Sequence, residues 1–335
     1  MAVDVLLVSL GTTAGLRLVD EELTGSLERA GASVAVALAA PTGEPRTFAL
    51  TDLLQARAAR RAAAAALEEH SPRAVLYSTT TAALLWPRPG AIHFDAPAAG
   101  NRPGRHGIWQ RPVERRRFAD APLVVAQSEG GLAEAPAHGE ALVIPVPVEP
   151  SGPPESSRDV AAVTYAADVE KKGLARVLEA WRRARRDGEE LVVAGVEGDD
   201  AEPSGDGVRF AGLMEPAEFR ALLRRTRVYV TAPRREDYGL AQLEALADGA
   251  MLVTTEAPGP YAALPIARDL DARLVGDDLA GALRAALDDP RDDYADRARS
   301  ALLPFRRGSV DALVQQELLP RLLPTRHERP HREVS

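Results

Sequence analysis

Short apolar runs recur along this chain, and each is followed by a polar or glycine-containing turn and then by a segment with helical character. Runs that are apolar throughout, without polar residues at alternate positions, are typical of strands in parallel sheets covered on both faces. Strands that alternate with helices favour an α/β fold with parallel sheets. The predicted strands span residues 3–8, 34–38, 74–77, 91–97, 123–129, 141–145, 161–165, 191–195, 208–213, 228–231 and 251–255.

Length and composition limit the kind of protein this can be. A chain of 335 residues has room for two domains of ordinary size. The proline- and serine-rich stretch 149–158 is the best interdomain linker, which predicts domains at residues 1–150 and 151–309. Because the chain has neither an apolar run of about 18–20 residues nor a basic leader, the expected location is cytoplasmic.

Three further features of the composition narrow the chemistry. The absence of cysteine excludes disulfides, thiolate metal sites and cysteine nucleophiles. The net charge of −8 argues against nucleic acid as a partner. Of the 41 basic residues only Lys171 and Lys172 are lysines, and they are adjacent. Since an ammonium and a guanidinium are not interchangeable, this pair indicates a place that specifically uses lysine.

The stretch 228–256 carries the densest pattern, a strand, a polar loop, a helix from about Gly239 and a second strand. It contains Glu236 in the loop and Glu244 on the helix. Glu244 falls on the apolar side of that helix, where an unpaired carboxylate would be costly to bury. One interpretation is a glutamate at the rim that reaches water or pairs with an arginine. The other is a carboxylate that binds a ligand.

The string from Glu236 to Gly249, EDYGLAQLEALADG, resembles the donor-site motif of retaining GT-B glycosyltransferases of family 4. The resemblance implies two Rossmann-like parallel-sheet domains that face each other across a cleft. It also implies that a C-terminal helix, residues 310–324, crosses back onto the N-terminal domain. The tail at residues 325–335 is expected to be disordered.

The resemblance also assigns roles at a donor site. Glu244 would accept the ribose hydroxyls of a nucleotide, and Glu236 would hold a hydroxyl of the donor sugar. Lys172, with Gly173, matches the family position that binds the donor diphosphate. The backbone groups of further residues would contact the diphosphate or the base: Tyr238, Gly239, Leu240, Gly212 and Leu213.

One position departs from the family pattern. The family often has an arginine five residues before the lysine, and this chain has Ala167 there. Either Arg234 or Arg235, just ahead of Glu236, is expected to replace part of the missing guanidinium.

Two candidates lie in the N-terminal half. His93 ends a predicted strand, where ligand crevices of α/β sheets form; a structural histidine is the alternative. The resemblance places His93 near the acceptor and the 6-position of the donor sugar. Gly15 belongs to a turn after the first strand, which either only makes the turn or approaches a donor phosphate or acceptor.

The segment at residues 101–117 has six arginines, from Arg102 to Arg117. It is either a solvated loop that runs into a helix or a basic flap. A flap would suit a phosphorylated acceptor, or a weak peripheral contact with the anionic inner face of a membrane.

The resemblance implies a retaining glycosyltransferase that moves a hexose from a nucleotide diphosphate sugar, with UDP or GDP favoured, to an unidentified acceptor. The acceptor is a glycan, a lipid-linked molecule or a small molecule. No metal and no cofactor is expected. The alternatives are a non-catalytic GT-B-like binding or scaffold protein, for which Ala167 argues, and a GT-B nucleotide-sugar epimerase.

Overall fold

The computed structural model describes residues 2–43, 45, 47–102, 104–153, 157–196 and 207–324. These residues form two compact units. The first comprises residues 1–147 and the described part of residues 307–335, and the second is Val148–Arg306. The tail predicted at residues 325–335 lies outside the described residues. Within the described ranges, no helix is both long and apolar enough to cross a bilayer.

The first unit is built on a six-stranded sheet in the order β2-β1-β3-β4-β5-β6, with every neighbouring pair parallel. Its strands are β1 (Val5–Ser9), β2 (Val34–Leu38), β3 (Ala74–Tyr77), β4 (Ala91–Phe94), β5 (Val124–Ala126) and β6 (Ala141–Val143). Its helices are α1 (Ala14–Arg29), α2 (Phe48–His70), α3 (Thr80–Ala83), α4 (Ala98–Asn101), α5 (Gln110–Asp120) and α6 (Glu129–Glu134), with a 3₁₀ turn at Gly104–Gly107. Separate apolar clusters form against the sheet, as the uninterrupted apolar runs predict.

The second unit has a five-stranded parallel sheet in the order β11-β10-β7-β8-β9. Its strands are β7 (Val160–Tyr165), β8 (Leu191–Ala194), β9 (Val208–Gly212), β10 (Thr226–Thr231) and β11 (Met251–Thr254). Its helices are α7 (Leu174–Ala184), α8 (Pro216–Arg225), α9 (Leu240–Ala247), α10 (Ala263–Asp271), α11 (Leu279–Asp288) and α12 (Tyr294–Ala301), with 3₁₀ turns at Ala272–Leu274 and Leu303–Phe305.

The C-terminal helical segment belongs to the first unit. It consists of α13 (Arg307–Leu313), a π-helical turn (Val314–Leu318) and α14 (Leu319–Leu322). Val310, Val314, Leu318 and Leu322 are buried in the same apolar cluster as strand β1 and helix α1. Arg29 pairs with Asp311 at 2.7 Å, which ties α1 to α13. The chain therefore returns to its N-terminal unit, as the resemblance implies for the last helix.

Candidate functional site

The order of strands in the second unit decides where its loops meet. After β7 the chain adds β8 and β9 on one side, and then places β10 and β11 on the other. In open parallel sheets, ligands bind at the carboxyl ends of the strands where the order reverses in this way. The loops that follow β7 and β10 therefore meet at this edge, and they carry Lys172 and Glu236.

The two loops are in direct contact. The N–H of Arg234 donates to the carbonyl of Lys171 at 3.0 Å. Gly173 has a φ of +66°, and a Cβ there would lie 1.9 Å from the carbonyl oxygen of Ala232. Only glycine allows this approach, because any side chain would collide with backbone. Gly173 therefore sets the distance between the loop of Lys172 and the loop of Glu236.

Lys172 and Glu236 form the centre of the site. The ammonium of Lys172 lies 2.7 Å from Oε2 and 3.0 Å from Oε1 of Glu236. The amide of Gln242, on helix α9, donates to the same Oε2 at 2.9 Å. The side chain of Glu236 is only 5% exposed, so these donors compensate its buried charge. A cation and a carboxylate thus share one small area of the sheet edge.

A second group of charges lies beside the first. Lys171 pairs with Asp237 at 2.8 Å, and Asp237 also accepts from Arg235 at 3.0 Å. Arg234 instead pairs with Glu170, and both of those side chains are well exposed. The two arginines expected to replace the missing guanidinium are thus each engaged with a carboxylate of this chain.

Helix α9 begins at Leu240, directly after Gly239. Gly239 has a φ of +88°, and a Cβ there would lie 2.7 Å from the ring of Tyr261. Tyr238 is buried, and its carbonyl accepts from the N–H of Ala262 at 2.9 Å. The prediction explained Gly239 by close approach of a ligand, and the structure adds two reasons within the protein: the left-handed backbone and the packing of Tyr261.

Glu244 lies one turn into helix α9, half-buried, and it has an arginine neighbour. Nη1 of Arg220, on helix α8, is 3.5 Å from Oε1 of Glu244. Burial raises the pKa of Glu244, Arg220 opposes that rise, and the charge of Asp248 adds to it. The sequence predicts an arginine partner as one interpretation of Glu244, and the structure identifies it as Arg220.

Gly212 and Leu213 lie at the end of β9, the edge strand of the second sheet. Gly212 has a φ of +72° with open space around its Cα, and its carbonyl accepts from the N–H of Gly195 at 2.8 Å. The side chain of Leu213 is exposed. An exposed apolar side chain thus follows the glycine at the carboxyl end of this strand.

His93 and Gly15 belong to the first unit. His93 is buried within β4, and burial lowers its pKa to about 4, so that the imidazole is neutral at pH 7. A hydrogen bond joins His93 to the backbone of Ser78, whereas its Nδ1 has no partner among the described residues. Gly15 is exposed in the first turn of α1, with nothing within 4 Å of a Cβ built there.

Asp20 is a buried polar group that was not predicted from the sequence, and it shares its neighbour Ser78 with His93. Asp20 accepts hydrogen bonds from the hydroxyls of Ser9 and Ser78. The parallel pairing of β1 with β3 brings Ser9 and Ser78 next to each other at the ends of these strands. The backbone N–H of Ser78 donates to the carbonyl of Val8. Burial raises the pKa of Asp20. Asp20 lies on the apolar face of α1, between Val19 and Leu23, and this position could have indicated in the sequence that its carboxylate is buried.

The basic segment is ordered by contacts within the first unit. Arg102 pairs with the buried Asp52 at 2.8 Å, and Arg117 stacks over Trp86. Arg111 donates to the carbonyls of Gly104 and Gly107. These three arginines are therefore structural. Two exposed arginines, Arg115 and Arg116, lie on helix α5.

Comparison with known proteins gives a family match to part of the chain and a fold for nearly all of it. Residues 159–289 match the family described as Glycosyl transferases group 1. No curated protein matches the chain. Among solved structures, WaaG, described as a glycosyltransferase involved in lipopolysaccharide biosynthesis, superposes with a TM-score of 0.69 at 14% identity and covers 96% of this chain and 100% of its own. HepE from Anabaena, in complex with UDP and glucose, gives a TM-score of 0.70 at 14% identity and covers 94% and 99%.

A third structure, an α,α-trehalose-phosphate synthase (UDP-forming) from Burkholderia xenovorans in complex with glucose-6-phosphate, gives a TM-score of 0.64 at 14% identity and covers 92% and 97%. In all three the likeness extends over nearly the full length of both chains. The protein has the GT-B fold. The predicted fold class is thereby confirmed.

Within this GT-B protein, the family match covers part of the second unit only. Lys172, Glu236 and Glu244 lie inside the matched residues, and so do Gly212, Leu213 and the start of helix α9. His93 and Gly15 lie outside them. Among the described residues, no group of three or more histidine, aspartate or glutamate side chains is placed to hold a metal ion.

Proposed function

We propose that this GT-B protein is a retaining glycosyltransferase that transfers a hexose from a nucleotide diphosphate sugar, UDP- or GDP-linked, to an acceptor. The observation that supports this most is the contact between Lys172 and Glu236 at the strand-order reversal of the second unit, inside the residues that match the glycosyltransferase family. The acceptor is a glycan, a lipid-linked molecule or a small molecule.

Lys172 has the chemistry to stabilise the leaving diphosphate. The bond from the anomeric carbon to the diphosphate oxygen breaks, and negative charge grows on that oxygen. An ammonium and the N–H groups at the start of helix α9 are suited to this charge, so the proposed reaction needs no metal. In this structure Lys172 pairs with Glu236. Donor binding would exchange this partner for phosphate.

Glu236 and Glu244 would then bind the two remaining parts of the donor. Once Lys172 turns to the diphosphate, the carboxylate of Glu236 can accept a hydroxyl of the hexose while Gln242 keeps it in place. Glu244 accepts the ribose hydroxyls. The acceptor oxygen forms its bond to the anomeric carbon on the face that the diphosphate leaves, and its proton goes to the leaving phosphate. Because both events occur on one face of the sugar, the anomeric configuration is retained.

The first unit contributes the acceptor side of this proposal. His93 is a neutral imidazole that donates to the backbone of Ser78, so its Nδ1 can accept a hydrogen bond. It would orient the 6-position of the sugar or the acceptor, and Gly15 would let backbone come close to them. The protein is proposed to act in the cytoplasm.

A weak peripheral contact with an anionic membrane face is a further part of the proposal. Arg105, Arg115 and Arg116 are exposed, and two exposed apolar side chains, Ile108 and Phe48, lie in the same unit. Basic residues combined with exposed apolar side chains are suited to such a surface.

A thermal-shift panel with UDP, GDP, ADP and TDP, followed by donor hydrolysis, tests the proposed function. We expect one nucleotide to stabilise the protein and its sugar to be released slowly. Stabilisation by none of them would refute the transferase. Binding without hydrolysis or transfer would favour the scaffold alternative, for which the alanine at position 167 is the specific observation. The anomeric configuration of the product, read by NMR, tests retention.

The two glutamates provide a sharper test of the assigned roles. Glu244→Ala should weaken binding of the free nucleotide, because the ribose loses its acceptor. Glu236→Ala should not weaken binding of the free nucleotide, because it frees Lys172 for the diphosphate, and should weaken binding of the sugar part of the nucleotide sugar. An equal loss of free nucleotide affinity in both variants would contradict the assignment.

A further inference from the structure

Arg220 makes three contacts with its guanidinium, all within the second unit. Its Nε donates to Oδ2 of Asp248 at 2.6 Å, and its Nη2 donates to the carbonyl of Glu149 at 2.6 Å. Its Nη1 lies 3.5 Å from Oε1 of Glu244. The side chain is only 15% exposed, so its position is fixed by these neighbours. Arg220 therefore joins helix α8 to Glu244 on helix α9 and to Asp248, the residue that directly follows this helix.

The three contacts are unequal. Asp248 is fully buried and receives further hydrogen bonds from the N–H and the hydroxyl of Ser151. With the short contact to Arg220, this carboxylate is well satisfied. Among the described residues, Glu244 receives only the long side-chain contact from Arg220 on one oxygen, at the outer limit of a hydrogen bond. Its carboxylate thus feels a fixed positive charge and still has capacity for other donors.

The geometry also keeps Arg220 from closing on Glu244. To form a two-pronged pair with Glu244, the guanidinium would have to leave Asp248 and the carbonyl of Glu149, and a buried aspartate would lose its cation. Glu244 and Asp248 are four residues apart at the end of one helix, where like charges repel. The cation between them reduces this repulsion and opposes the rise that burial causes in the pKa of Glu244.

We propose that Arg220 is a positioning residue for the ribose-binding carboxylate Glu244, held by Asp248 and the Glu149 carbonyl so that it orients this carboxylate without occupying it. This inference rests on the proposed function, since it assigns Glu244 to the ribose. Arg220 itself touches no part of the donor. Its effect on binding passes through the 2′- and 3′-hydroxyls that Glu244 accepts.

The test compares two ligands, the nucleoside diphosphate that stabilises the wild type and its 2′,3′-dideoxy analogue. The dissociation constants of both are measured by calorimetry. Wild type should prefer the ribonucleotide by about tenfold or more, because a carboxylate left without its donors is penalised. In Arg220→Met the preference should fall to about twofold or less, with little change for the dideoxy analogue. Arg220→Lys should recover part of the preference, since an ammonium can still neutralise the pair.

Two further variants separate positioning from folding. Arg220→Met leaves Asp248 buried without its cation, so the double variant Arg220→Met/Asp248→Asn removes that charge as well. It should be folded and should also lack the ribose preference. Arg284→Met is the matched control, because Arg284 pairs with Glu189 and Asp288 and is similarly buried. It should keep the full preference.

The outcomes distinguish the role inferred for Arg220 from the proposed glycosyltransferase function. If wild type prefers the ribonucleotide and the folded Arg220 variants keep that preference, Arg220 is only a structural cation and the inference is wrong. If affinity for both ligands falls equally, the inference is also wrong. If wild type binds no nucleoside diphosphate, the proposed function fails and the inference fails with it.

Discussion

The ammonium of Lys172 lies within hydrogen-bonding distance of both carboxylate oxygens of Glu236, although 64 residues separate the two in the chain. Lys172 belongs to the loop after β7, and Glu236 belongs to the loop after β10. They meet because these strands are neighbours in the sheet. The cation and the anion that the proposed function assigns to one ligand thus form an ion pair with each other.

Removal of Lys172 should therefore destabilise the protein. In Lys172→Met, the amide of Gln242 is the one side-chain donor left to the buried Glu236 in the part of the chain that the structure describes. We expect a loss of about 2–3 kcal/mol in the free energy of unfolding, below the usual cost because Lys172 is itself partly exposed. Lys172→Met/Glu236→Gln should recover most of that loss. Urea denaturation measures both variants, and the reverse order of stability would contradict the pairing. Both variants should lose transfer activity.

Gly173→Ala should be more destabilising than an ordinary glycine replacement. Its Cβ would collide with the carbonyl of Ala232, whereas Gly188, with a φ of +81°, has nothing within 4 Å. Gly188→Ala should cost only the left-handed backbone strain, about 1–2 kcal/mol. Gly173→Ala should cost about 3 kcal/mol or more, because the two loops must move apart. Equal losses for the two variants in urea denaturation would show that the close approach is unimportant.

Glu114 should make the stability of the first unit depend on pH. Burial raises the pKa of its carboxyl to about 7, although the backbone N–H of Ala98 donates to it. A carboxyl whose pKa is higher in the folded than in the unfolded protein stabilises the folded state in its protonated form. That contribution to the free energy of unfolding is fully present below the unfolded pKa and is lost as the pH rises to about 7. Glu114→Gln should thus be more stable than wild type at pH 8, by up to about 3 kcal/mol, and similar near pH 4.5. Thermal unfolding across this range measures the difference, and parallel curves would contradict the assignment.

Leu318→Ala should destabilise the first unit although it lies near the end of the chain. Leu318 is fully buried in the cluster formed with β1 and α1, so the cavity should cost about 2–5 kcal/mol. Gln315→Ala, at an exposed position of the same segment, is the control. In a Trp181→Phe background the remaining tryptophans, Trp86 and Trp109, both lie in the first unit, so fluorescence reports on its unfolding. An unchanged transition would show that the C-terminal segment adds nothing to that unit.

The sequence alone determined the α/β class, the parallel sheets and the candidate motif. Strand β10 and helix α9 were predicted nearly to the residue because both depend on short-range patterns, an apolar β-branched run and a glycine at the helix start. The start of the last helical segment, by contrast, was predicted at residue 310 and lies at Arg307. The sequence specifies the first and last residues of a helix only weakly, because capping and packing compete there.

Only the tertiary structure decided which side chains meet. The order of β10 beside β7 brings Lys172 to Glu236, and no local pattern in either loop specifies that neighbour. Arg220 is one of three arginines on helix α8, and packing of α8 against α9 places it between Glu244 and Asp248. Asp20 likewise accepts from Ser9 and Ser78 because the pairing of β1 with β3 brings these two serines together. Hydrophobic periodicity acts over a few residues and sets the elements, whereas electrostatic pairing acts through space and depends on how those elements are arranged.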